Sequence, residues 1–308
     1  MDPARPPPRI VANDSPRTKA IAEVTRAAGH KKPAADDDRP RKIGYRKKFS
    51  LHFGISTFEH WDDLPNGARD AQTMATRFKD ILGFDHSEVV LNGDVTHSGF
   101  HSKIADLAKV CKPCDLVVIT WHAHGETVRL ANGKDAGYLV PTDAPKPIAL
   151  GNLNRFINMG DVGKILDEWL TPLHVVLLLD CCFSAQSLVR GGNDIDPAIL
   201  NDVPKQLKMK CRMVINAGTK DEVVADGLSG NSPFVEAFLN SSAGLGGKGC
   251  HVKRLEMEIY DYVKKLGVAQ SPTGGSLQGH QGGCAFLALP SLEQGGGLVL
   301  GEAPREDG

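Results

Sequence analysis

The apolar residues of this chain fall into short unbroken runs separated by stretches with helical spacing. "KKFSLHFGIS" (47–56), "SEVVLNG" (87–93), "DLVVITWHAHG" (115–125), "HVVLLLD" (174–180), "KCRMVINAGT" (210–219) and "CAFLALP" (284–290) each read as strands. Between them, "ARDAQTMATRFKDILG" (68–83) places Ala71, Met74, Ala75, Phe78, Ile81 and Leu82 on one helical face. Further helices are predicted over about 98–110, in "DVGKILDEWL" with Val162, Ile165, Leu166 and Trp169 inward, from Ser232-Pro233 onward, and along Val252, Leu255, Ile259, Val263 and Leu266. Strands that are apolar on both faces, alternating with helices, predict an α/β fold with a mostly parallel central sheet covered on both sides.

The ends differ from this middle. Residues 1–42 hold seven of the nineteen prolines and the acidic triplet Asp36-Asp37-Asp38, with little periodicity beyond a short helical stretch near Thr18 to Ala28. A flexible arm is expected there, and a loose tail over 291–308. The formal net charge is −1, yet residues 1–48 carry thirteen Lys/Arg against six Asp/Glu. That arm is a solvated basic run by default, and the near-neutral total gives no reason to expect nucleic acid as a partner. No run approaches the roughly 18 apolar residues of a membrane span, so no insertion is predicted. The start "MDPARPPPRIVANDS" lacks the apolar core of a secretory signal, and seven irregularly spaced cysteines suit reduced thiols, so the expected location is cytoplasmic.

Two predicted strands end in reactive residues. "LVVIT" runs into Trp121-His122-Ala123-His124-Gly125, and "VVLLL" into Asp180-Cys181-Cys182. In an open parallel sheet, functional groups gather where the carboxyl ends of strands meet solvent. A thiol attacks as thiolate, and a nearby imidazole supplies the base. If the two strands are neighbours, His122 or His124 faces Cys182. Gly125 then lets a backbone N–H approach a developing oxyanion, with the Cys182 N–H as a second donor. The competing reading makes Cys181 and Cys182 small buried hydrophobes and the histidines strand caps.

The combination resembles the caspase-like cysteine peptidases: caspases, paracaspases, metacaspases and bacterial relatives. In that family the histidine strand ends in His-Gly and the nucleophile strand in Asp-x-Cys-x-Ser-Gly. Here the matching residues are His124-Gly125 and Asp180-x-Cys182-x-Ser184, with Ala185 in place of the glycine. "LPNGARDA", "GYLVPTDA" and "INAGTKDEVVADG" extend the likeness across about residues 47–290. It implies a three-layer sandwich over 43–290, with large-subunit-like (43–186) and small-subunit-like (211–290) parts joined by a linker (187–210). It further implies a cysteine endopeptidase in which His124 and Cys182 form the catalytic dyad.

Resemblance to metacaspases also implies that Asp70 and Asp180 line a pocket for a basic residue before the scissile bond, Arg preferred and Lys second. A planar guanidinium suits two converging carboxylates. His122 stands where the family often has serine, and either lines that pocket or points into the neighbouring layer. Arg190, before Gly191-Gly192, is the expected self-cleavage position in the linker, with an uncut surface loop as the alternative. The implied partner is a protein with an exposed Arg or Lys site. Bacterial members are linked to defence or regulated death, and a catalytically silent scaffold is the rival function. No metal or cofactor is expected: Asp194 and Asp196 are too few oxygens for calcium, and Cys111-x-x-Cys114, lacking a second ligand pair, reads as a connector.

Overall fold

The computed structural model describes residues 43–182, 203–218, 230–243, 251–292 and 298–299. The expected arm (1–42), Arg190, Asp194 and Asp196 lie outside the described residues, as do Ser184 and Ala185.

In chain order the elements are β1 (Ile43–Gly44), β2 (Lys48–Gly54), α1 (Gly67–Thr76), a π-helical turn (Arg77–Ile81), β3 (His86–Leu91), α2 (His97–Val110) and β4 (Leu116–His122). Then come β5 (Gly125–Arg129), β6 (Asp135–Leu139), β7 (Ile157–Asn158), α3 (Met159–Glu168), β8 (His174–Cys182) and the short α4 (Val203–Gln206). The remaining elements are β9 (Cys211–Gly218), α5 (Pro233–Ser242), α6 (Val252–Lys265), β10 (Thr273–Ser276) and β11 (Leu298–Val299). The central sheet has six strands in the order β10-β9-β8-β4-β2-β3. All its pairings are parallel except β10 against β9.

Every residue of β2, β4 and β9 is buried, which the continuous apolar runs require of strands covered on both faces. Alternation divides each strand between two cores. Leu116 and Val118 of β4, with Val176 and Leu178 of β8, pack against Met74, Phe78, Phe234, Leu255 and Ile259 from α1, the π turn, α5 and α6. Val117, Ile119 and Trp121, with Leu177, Leu179 and Cys181, pack against Phe100, Ile104, Val162 and Leu166 from α2 and α3. The expected three-layer arrangement is therefore present. Among the described residues, no helix is long and apolar enough to cross a membrane.

Four local expectations are corrected. In "CAFLALP", Cys284 to Leu287 are buried but make only an isolated bridge, His251 to Phe286; the antiparallel edge strand is "TGGS", residues 273–276. Ile81 is 49 % exposed at the end of the π-helical turn, while Phe78 and Leu82 on either side of it stay buried. Trp169, which caps α3, and Leu266, which caps α6, are also exposed.

Two cations are buried structurally. The Lys48 ammonium donates to the carbonyls of Leu82 and Leu287, and Arg212, fully buried on β9, donates to those of Leu170, Leu173 and Cys211. Backbone oxygens thus replace the water these groups gave up.

Candidate active site

The site lies at the carboxyl ends of β4 and β8. These strands are direct parallel neighbours, and His122 pairs with Asp180 in register. His124 and Cys182 each come two residues later, His124 just beyond the end of β4 and Cys182 as the last residue of β8. Cys182 is also level with Gly218 of β9, after a register irregularity that begins at Leu179. The preceding Cys181 is 2 % exposed and belongs to the core on the α2 and α3 side. The side chain of Cys182 lies outside the described residues.

His124 is held by the loop between β2 and α1. Its Nε2 bonds the Asp62 carbonyl at 2.8 Å, and its ring stands 4.9 Å from Phe58 and 5.6 Å from Trp61. A carbonyl only accepts, so Nε2 carries the proton and Nδ1 keeps the basic lone pair. The loop has its own supports. Asn92, at a left-handed φ of 46°, accepts from the N–H groups of Ser56 and Thr57; Trp61 Nε1 donates to the Ala144 carbonyl; Glu59 N donates to that of Thr142. After His124, β5 pairs antiparallel with β6, with Gly125 opposite Leu139.

The other cluster forms around His122, the last residue of β4. His122 Nδ1 donates to Asp180 Oδ2 at 3.2 Å, and its Nε2 is 2.9 Å from Thr120 Oγ1, which also touches His52 Nδ1 at 2.9 Å. Ser232 joins the two carboxylates: its hydroxyl donates to Asp180 Oδ2 at 2.6 Å, and its N–H donates to both oxygens of Asp70 at 3.2 and 3.3 Å. The same hydroxyl accepts from Val235 N and so caps α5. Asp70 reaches the cluster from the first turn of α1 because that helix starts very close to the sheet. A Cβ on Gly67 would run into the carbonyl oxygens of Ile55 and His122.

Asp70 and Asp180 are 2 % and 7 % exposed, and His122 is 2 % exposed. Burial, followed by the neighbouring Asp180 charge, pushes the Asp70 carboxyl above the usual range. His52 is held well below the ordinary imidazole value, first by burial and then by His122.

The structure thus brings Asp70, Asp180 and His122 together in one buried cluster, with His122 bonded to Asp180 rather than set among the apolar side chains of a neighbouring layer. It sets Gly125 and His124 beside the end of β8. Ser232, Thr120, His52 and the Asp62 carbonyl were not singled out from the sequence. Ser232-Pro233 was visible there only as a helix start; a backbone carbonyl carries no residue signature at all.

No family model and no curated protein matches the chain. Among solved structures, a Geobacter sulfurreducens protein determined as a structural-genomics target is similar with a TM-score of 0.54 and 16 % identity, over 75 % of this chain and 93 % of that one. The Drosophila initiator caspase Dronc is similar with a TM-score of 0.50 and 12 % identity, over 84 % of this chain and 92 % of that one. The chain has a caspase-like fold. In this caspase-like frame the histidine strand and the Asp-Cys-Cys strand are the central hydrogen-bonded pair β4 and β8, and the acidic cluster sits beneath α1 and α5. At these identities the likeness is one of fold.

Proposed function

We propose that the chain is a cysteine endopeptidase that cleaves protein substrates after a basic residue, Arg before Lys. The observation that carries this reading is the in-register pairing of His122 with Asp180, which makes neighbours of the strands that end in His124-Gly125 and in Cys182.

In this reading Nδ1 of His124, the nitrogen not engaged by the Asp62 carbonyl, takes the thiol proton of Cys182. The thiolate adds to the scissile carbonyl carbon; a C–S bond forms and the π electrons pass to oxygen, which the N–H groups of Gly125 and Cys182 receive. Collapse of the tetrahedral intermediate breaks the C–N bond, and the leaving amine takes its proton from the imidazolium. Water, deprotonated by the same ring, then cleaves the thioester and restores the thiol.

Asp70 and Asp180 are the acceptors for the substrate cation. A guanidinium offers donors in a planar fork that two carboxylates can share, while an ammonium satisfies them less completely. Its entry replaces the His122 bond to Asp180 and adds to the two Ser232 contacts.

One observation favours a second reading, a catalytically silent scaffold: both carboxylates are buried with His122 already bonded to one of them, which closes the pocket in this state. Fluorogenic peptides ending in Arg, Lys or Asp, incubated with the wild type, Cys182→Ala and His124→Ala, separate the two readings. Arg turnover lost in both variants is expected. Equal signals in the wild type and Cys182→Ala would remove the nucleophile, and no turnover of any peptide would favour the scaffold.

A further inference from the structure

We propose that Asp70, His122 and Asp180 form a binding site for a divalent transition-metal cation of the zinc type, and that the metal competes there with the substrate's basic side chain. The competition rests on the pocket assignment above; the metal site itself rests on geometry alone.

The three residues come from separate elements, the first turn of α1 and the ends of β4 and β8, yet each offers a ligand atom within 4.8 Å of the others, and all three are buried. One edge of a coordination tetrahedron is already formed. Ligand atoms bound to zinc at about 2.0–2.2 Å lie about 3.3–3.6 Å from one another; His122 Nδ1 is 3.2 Å from Asp180 Oδ2, and a metal there replaces the shared proton, which moves to Nε2 and is donated to Thr120 Oγ1. A rotation of the Asp70 carboxylate closes the remaining distance.

A second observation points to a ligand. Asp180 is 7 % exposed, and its Oδ1 has no hydrogen-bond partner among the described residues. A buried carboxylate oxygen without a donor retains its demand for positive charge. A cation held between Asp180 and Asp70 meets it.

The surroundings suit metal ligation as well. Metal-binding histidines commonly use their second nitrogen in a hydrogen bond that fixes the ring, and ligating carboxylates are themselves held by donors. Here Nε2 of His122 is bonded to Thr120 Oγ1, which is in turn bonded to His52 Nδ1. Ser232 fixes both carboxylates, Asp180 through its hydroxyl and Asp70 through its N–H. His122 and Asp180 are therefore oriented before a metal arrives, and the Asp70 carboxylate turns to complete the site.

The donor set selects the cation. Calcium requires six to eight oxygens and magnesium an octahedron that retains several waters. One imidazole and two carboxylates in a buried site, with a fourth position for water, fit zinc. Zinc and a guanidinium would neutralise the same pair of charges, so only one can be present at a time.

The test uses the full chain carrying Cys182→Ala, which removes the site thiolate as a competing ligand. Titration with zinc chloride, followed by calorimetry and by competition with a chromophoric chelator, should give one equivalent bound in the micromolar range or tighter, undiminished by millimolar calcium or magnesium. Adding His122→Ser should weaken binding at least tenfold, and Asp70→Asn should do the same if the serine variant does not fold. X-ray absorption of the zinc-loaded protein should give nitrogen and oxygen ligands at about 2.0–2.1 Å and no sulfur. No uptake, unchanged affinity in both folded pocket variants, or sulfur in the ligand shell would overturn the site. The two proposals fail separately: zinc bound without any peptide turnover leaves the site and removes the peptidase, whereas Arg turnover without zinc uptake does the reverse.

Discussion

Ser232 and Asp180 meet through a 2.6 Å hydrogen bond, although they lie on α5 and β8 and are 52 residues apart. The Ser232 N–H serves Asp70, and its hydroxyl also caps α5, so one residue couples the helix start to both pocket carboxylates. Ser232→Ala removes the cap and the charge-assisted donor. It should cost about 1–3 kcal/mol, read by urea denaturation, and lower kcat/KM for Arg peptides. Retention of both values would separate this residue from the pocket.

Burial, and then the Asp180 charge, push Asp70 up to about 7 from an ordinary 3.8, so its ionisation above that pH costs the folded state stability. Asp70→Asn keeps an acceptor for Ser232 N and removes the charge. At pH 8 it should melt at a higher temperature than the wild type, while kcat/KM for Arg peptides falls at least tenfold. Unchanged kinetics would place the cation elsewhere.

The contact from Asp62 to His124 is made by the backbone carbonyl, whereas the Asp62 side chain only pairs with exposed Lys146. Asp62→Ala should therefore alter kcat by less than twofold and leave the denaturation midpoint almost unchanged. Trp61→Ala removes the ring beside His124 and the anchor to the Ala144 carbonyl, and should lower kcat substantially. Steady-state kinetics of the two variants give the comparison. A large loss in Asp62→Ala would mean that the carboxylate, rather than the carbonyl, holds the ring.

Gly67 sits against the carbonyl oxygens of Ile55 and His122, where α1 meets the sheet. Gly67→Cys should cost about 1–3 kcal/mol or more, since the start of α1 must move off the sheet. The denaturation midpoint of the purified variant reports this, and an unchanged midpoint would show that the helix approaches less closely.

His174 is buried and neutral, with Nε2 donating to the Met209 carbonyl and Nδ1 accepting from Tyr45. Burial lowers it to about 4 from an ordinary 6.5. Because the folded value lies below the unfolded one, the unfolded chain binds the extra proton first. Stability is then complete above pH 6.5 and declines as pH falls towards 4, by about 3 kcal/mol for this group. His251, also lowered to about 4 by burial, adds to the same decline. Denaturation of the wild type and His174→Gln at pH 7.5 and 4.5 should give a smaller pH difference in the variant.

The central strands were legible because burial on both faces leaves a continuous apolar run, and the Asp-Cys-Cys and His-Ala-His-Gly ends stood out against those runs. The edge strand was not. Thr273–Ser276 contains two glycines and no large apolar residue, so its pairing with β9 leaves no trace in hydropathy. "CAFLALP" gave the opposite error: Cys284, Ala285, Phe286 and Leu287 are apolar because they cover the core beneath α6, and burial alone does not make a strand. The two possible directions of His122 could be resolved only when the pairing with Asp180 was known. The Asp62 contact with His124 spans 62 residues through a main-chain oxygen, which leaves no mark in residue type.

Lys48 lies before the pocket in sequence, and its ammonium reaches the Leu287 carbonyl far beyond it; β8 and β9 are likewise laced together from His174–Cys211 onward. Severing the backbone anywhere from 183 to 202 would leave those ties intact. The products would then be two polypeptides on a denaturing gel and a single particle on a sizing column, so such a nick would change the covalent chain without dispersing its halves.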